Sequence, residues 1–166
     1  MPRYLIIDGY NAMHKIKELE DKKDISLEAA RLYFIKMLQE FMARKSMFDK
    51  VSLVFDSKDD YALGVRKHLY GKVEVLFATK DRDADSVIVE ILRNAPDKAK
   101  ISVSSDDNFV KNHTRAYGKD IVPISKLREI IMLKKKTHES KIKEQEVTGK
   151  KFDQINEELK KYWGLN

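Results

Sequence analysis

Continuous apolar runs and helically spaced apolar residues alternate along this chain. Three runs, Tyr4–Ile7, Val51–Phe55 and Ile101–Ser104, read as strands buried on both faces of a parallel sheet. A fourth, Val73–Phe77, carries Glu74 in an otherwise apolar stretch and is expected nearer an edge. A fifth, Ile121–Ile124, contains Pro123, which has no amide to donate, and is expected to be short or at an edge. Between these runs Leu27, Ala30, Phe34, Leu38 and Phe41 recur at helical spacing behind a capping Ser26, predicting a helix to about Arg44. Asp85 to about Asn94 reads as a second helix, ended by Pro96, and another starts at Ser125 with Leu127, Ile130 and Ile131 on its apolar face. The segment "KDDYALGVRKHLYGK", residues 58–72, reads as a loop. The resulting order is strand, helix, strand, loop, strand, helix, strand, short helix, strand, helix. Such alternation predicts an α/β fold with a mostly parallel central sheet covered on both faces.

The length, 166 residues, suits one domain with a real core. From about Lys134 the stretch "KKKTHESKIKEQEVTGKK" loses both apolar residues and strand signals, and "FDQINEELKKYWGLN" regains helical spacing through Phe152, Ile155, Leu159 and Tyr162. The expected division is a domain over residues 1–135 and a basic C-terminal helical extension over 136–166, packed on it or projecting from it.

Acidic residues fall at telling places on this scaffold. Asp8 follows the first strand, Asp56 follows "VSLVF", Asp106 follows "ISVSS", and Asp83 and Asp85 open the helix after the fourth run. The carboxyl ends of parallel strands share one edge of the sheet, where ligands bind. Each aspartate has a plain structural alternative as a turn or helix cap. Taken jointly, carboxylates crowded on one rim repel each other, and a divalent cation relieves that repulsion. Oxygen ligands suit Mg²⁺ or Mn²⁺, whereas zinc usually recruits His or Cys. Asp8, Asp85 and Asp106 are the expected metal ligands. Asp56 and Asn11 complete the catalytic set, with Asn11 placed either to orient Asp8, to meet a phosphate oxygen or water, or to close a turn.

Charge and composition narrow the chemistry. Lys and Arg number 33 against 27 Asp and Glu, a net charge of +6 that favours an anionic partner. With no cysteine, disulfides, thiolate metal sites and cysteine nucleophiles are excluded. His14, His68, His113 and His138 show no ligand spacing, no Ser-His-Asp set assembles, and no GxxxxGK[ST] loop exists. Neither a signal peptide nor an apolar run of roughly 20 residues is found, so a cytoplasmic location without membrane contact is expected. Oxygen-held metal on a basic protein suits phosphodiester chemistry. Lys58, Arg66, Lys67 and Lys72, interleaved with Tyr61 and Tyr70, are candidates for binding phosphates and stacking bases, as are Lys80 and Arg82 beside the acidic segment.

The segments "LIIDGYNAM", "VSLVFDS", "VEVLFATKDRDADSVI", "ISVSSDD" and "ISKLREI" resemble, in order and spacing, the YacP-like branch of the bacterial NYN-domain proteins, over roughly residues 4 to 135. The resemblance implies a three-layer α/β/α, PIN-like domain with a Mg²⁺- or Mn²⁺-dependent endoribonuclease site. Its acidic positions fall on Asp8, Asp56, Asp85 and Asp106, with Asn11 from the signature. The segment before the helix more often reads Glu-Thr-Ala-Asp in that branch; here Arg82 and Asp83 stand at the first two positions. The branch is associated with messenger RNA and the ribosome, which are the implied partners, and no organic cofactor is expected. Two other classes also accommodate such a sequence: an RNA- or ribosome-binding module with little catalysis, and a receiver- or phosphatase-like domain. The latter lacks its motif, since Asp8 is followed by Gly9 and Tyr10.

Overall fold

A computed structural model describes residues 1–44, 47–56, 65–79 and 82–132. The predicted extension, Lys58 and Lys80 lie outside these residues. One six-stranded sheet organises the chain, in the order β3-β4-β2-β1-β5-β6. Its strands are β1 (Arg3–Asp8), β2 (Lys50–Asp56), β3 (Val65–Tyr70), β4 (Val73–Ala78), β5 (Lys100–Ser104) and β6 (Asp120–Val122). All neighbours pair in parallel except β3, which runs antiparallel to β4. Helices cover both faces, giving the three layers of a PIN-like fold.

Side-chain alternation along β1 decides which layer meets which. Leu5 and Ile7 join the larger core with α1 (Gly9–Lys15), α2 (Lys17–Lys23), α3 (Leu27–Ala43) and the helical residues 124–132. Ile6 joins the smaller core beneath α4 (Ala84–Asn94) and α5 (Asn108–Ala116). Caps set the helix starts: Ser26 Oγ accepts the Ala29 amide at 2.9 Å, Asp83 that of Ser86 at 2.7 Å, and Asp107 that of Val110 at 3.1 Å.

Three elements depart from the sequence reading. Part of the expected loop forms β3, an edge strand whose residues 66–69 are exposed and which lacks the continuous apolar signal of a core strand. Residues 9–23, which carried no predicted element, form α1 and α2, burying Ala12, Met13, Ile16 and Leu19. β4 does lie near an edge, one strand in, yet Glu74 is only 6% exposed. Its carboxylate is neutralised by Lys50 at 2.6 Å and Lys67 at 2.7 Å, and accepts the Ser52 hydroxyl at 3.0 Å. Burial opposes its ionisation, but these partners hold its pKa below the ordinary value.

Gly9 is required by close packing rather than by an unusual backbone angle. A Cβ there would lie 2.4 Å from the Phe55 ring and 2.8 Å from the Val54 carbonyl oxygen. Phe55 is fully buried and touches Tyr10 and Phe77, so it has little room to yield. Gly9→Ala is therefore expected to lower stability by about 1–3 kcal/mol, the usual cost of overpacking a core, as measured by urea unfolding. An unchanged midpoint would show that the Phe55 ring moves freely.

Candidate active site

The pleat that sorts the core also sorts the carboxylates. Asp8 shares the parity of Ile6, and Asp56 that of Val54, so both lie at the carboxyl edge toward the α4 and α5 side. Asp8 is 7% exposed. It makes no cap bond of ordinary geometry to α1, although the Asn11 amide is near enough to favour its ionised form. Its Oδ2 accepts the Ser105 hydroxyl at 3.0 Å, and Ser105 Oγ in turn accepts the Asp107 amide at 3.1 Å. Burial raises the Asp8 pKa above the usual carboxylate value, and the charges of Asp107 and Asp56 add to the rise.

Across the edge stands the N-terminus of α4. Asp56 Oδ1 accepts the Ala84 amide at 2.6 Å, fastening this helix to the end of β2. Asp85 lies in the first turn of α4, where the helix dipole favours a negative charge. Its surroundings override that preference. Desolvation first, then the charges of Asp107, Asp8, Asp83 and Asp56, push its pKa up to about 6. Asp83 differs: its bonds with Ser86 hold it below the ordinary range, and its role is to cap α4.

Asp106 is turned to the other side of the sheet. Continuing the alternation of β5, it shares the parity of Ser104, opposite to Val103 and Ser105. Its Oδ2 is ion-paired with Lys15 at 2.9 Å and its Oδ1 accepts the Ile124 amide at 3.2 Å. Partial burial opposes its ionisation, yet these bonds hold its pKa below the ordinary value. Asn11 Oδ1 accepts the Asp106 amide at 2.9 Å, so Asn11 braces this loop. The structure thus brings Asp8, Asp56 and Asp85 together and adds Asp107, which the sequence reading passed over. The signal for Asp107 was its place immediately before a helix.

Of the candidate phosphate-binding residues, Arg66 lies at the rim end of the sheet, opposite Phe77, with its guanidinium 5.8 Å from that ring. Lys67 is paired with Glu74 and Arg82 with Glu90. Tyr70 and Lys72 lie at the far end, by the turn into β4. A cavity of about 510 Å³ also lies away from the carboxylates, lined by Tyr4, Ser52, Glu74, Arg82 and Asn94 among others. Repelling carboxylates, rather than enclosed volume, make the rim the candidate site.

A divalent cation fits the rim by donor chemistry, since every candidate ligand is a carboxylate oxygen and the crowding of like charge is what an ion relieves. Among the described residues, no three His, Cys, Asp or Glu side chains already converge as a metal-holding group.

The mostly parallel sheet between two helical layers, with acidic residues at its carboxyl edge, defines a PIN-like nuclease-type domain. The chain belongs to the YacP-like NYN domain family, whose model matches residues 5–164. NYN domains are of the nuclease type, acting on RNA, and the chain shares that class. Two crystal structures of Rae1 (YacP) from Bacillus subtilis have the same fold. A tryptophan-to-leucine variant is 20% identical with a TM-score of 0.66, over 87% of this chain and 84% of that one. The other is 24% identical with a TM-score of 0.62, over 96% of this chain and 91% of that one. No curated protein matches the sequence significantly. Among the described residues, no helix is long and apolar enough to cross a membrane.

Proposed function

We propose that the protein is an endoribonuclease that cuts single-stranded RNA by attack of water on a phosphodiester, with Mg²⁺ or Mn²⁺ held by Asp8, Asp85 and Asp107. The observation that carries this reading is the convergence of carboxylates that raises Asp85 to about 6. When bound, the ion supplies neutralisation of phosphoryl charge and a water of lowered pKa. The chain's own residues do the positioning. Ser105 orients Asp8 and fixes the Asp107 backbone; Asp56 holds α4 so that Asp85 faces them. Asn11, Lys15 and Asp106 lock the loop after β5 against α1 and the helix beginning at residue 124. Arg66 supplies positive charge at the rim end of β3. Messenger RNA as substrate, the ribosome as partner and a cytoplasmic site of action form the finer part of the proposal, in keeping with the net charge of +6 and the family resemblance.

A second reading, an RNA- or ribosome-binding module with weak catalysis, is favoured by the lack of a ready-made metal-holding group among the described residues. Incubation of the purified chain with single-stranded RNA in Mn²⁺, in Mg²⁺ and in EDTA separates the two. Cleavage that requires the ion and is lost in Asp8→Asn is expected. Undiminished cleavage by that variant would reveal a contaminant. RNA binding without cleavage, on free and ribosome-bound messenger alike, would establish the second reading.

A further inference from the structure

The surface leading away from the rim along α5 is aromatic. Phe109, His113 and Tyr117 stand at i, i+4 and i+8 and so form one stripe. Phe109 is 48% exposed and Tyr117 38%, whereas Val110 and Thr114 are fully buried beneath the helix. A single exposed ring needs no explanation, but an aligned series does. The Phe109 and His113 rings lie 4.2 Å apart, and the Phe109 carbonyl oxygen is 2.9 Å from His113 Nδ1, which fixes one ring against the other.

The stripe has a direction. α4 and α5 each follow a parallel strand, so both begin at the carboxyl edge and run away from it. Arg93, in the last turn of α4, donates to the Tyr117 hydroxyl at 3.5 Å, which brings the far ends together. One end of the stripe therefore starts two residues from Asp107, and a cation stands at the other, Arg93 on α4.

The geometry points to this stripe as the track for the substrate strand, on which bases of single-stranded RNA stack against Phe109, His113 and Tyr117 while Arg93 meets a phosphate at its far end. This rests on the nuclease reading of the rim. Aromatic faces accept every base, so the track selects unpaired RNA over duplex rather than one sequence over another.

The test uses the full chain carrying Asp8→Asn, which binds without cutting, and a short single-stranded oligouridylate containing 2-aminopurine. Binding should quench the 2-aminopurine fluorescence and a duplex of the same length should compete poorly. Phe109→Ala and Tyr117→Ala should each weaken binding about tenfold and reduce the quench, and Phe109→Trp should retain both. Equal affinity and quench in both alanine variants would overturn the track. With Asp8 intact, cleavage by Phe109→Ala at unchanged KM would also overturn it, leaving the nuclease reading in place. Quenching that depends on Phe109 with no cleavage under any divalent ion would support the track and refute the nuclease reading.

Discussion

Asp85→Asn is expected to have two opposed effects: greater stability of the metal-free protein and a loss of RNA cleavage of about 10²- to 10³-fold, the usual cost of removing one electrostatic element from an active site. The Asp85 carboxyl titrates near 6 in the folded chain against an ordinary value of 3.8. Between those values the folded chain holds more protons than the unfolded one, so stability falls as pH rises. Below the lower value Asp85 is neutral in both states, and asparagine changes little. Above about 6 the wild type bears the full cost of a desolvated charge facing its neighbours, and the variant does not. Thermal unfolding in EDTA should show a higher Tm for Asp85→Asn near pH 8 and a vanishing difference below about pH 4. Added Mn²⁺ should reverse the order at high pH, because an ion bound to the folded state raises the wild-type Tm by mass action. Equal Tm values at pH 8 in EDTA would show that the carboxylates do not strain one another.

The second large effect lies away from the rim. Lys50→Ala combined with Lys67→Ala is expected to cost about 3 kcal/mol, because it strands the Glu74 carboxylate in the sheet without its counter-charges. The two lysines are 42% and 54% exposed, so they are readily hydrated once free, whereas Glu74 is not. The asymmetry supplies a control. Glu74→Leu removes the buried charge along with its need for partners and should be near neutral. Urea unfolding of the three proteins tests the account, and a double-alanine variant as stable as the wild type would sink it. Lys67 was a candidate RNA ligand in the sequence; in the structure it serves Glu74.

How much was legible follows from how each feature is encoded. The buried strands β1, β2 and β5 announce themselves because both faces are covered and their residues are nearly all apolar or small. β3 does not, since an antiparallel edge strand needs only backbone pairing with β4, and residues 66–69 of "VRKHLY" are exposed. α1 and α2 were hidden behind "DGYN", which reads as a turn, although Gly9 is there to clear Phe55. The rim itself was legible from strand ends alone. Which member of Asp106 and Asp107 faces it was not, because that depends on one step of pleat alternation carried past the end of β5. The partners of Asp106, Lys15 and Ile124, lie 91 and 18 residues away in the sequence and leave no local trace.

The Ser105–Asp8 hydrogen bond joins residues 97 positions apart. β1 is the first of the described strands in chain order, yet one of its two neighbours, β5, and the Asp107 loop come from the last third of the described chain. Pairings of such long range close late in folding. The carboxylates consequently come together only after residue 107 has been made, so the candidate site is completed by the late-made strand rather than by the early one that carries Asp8.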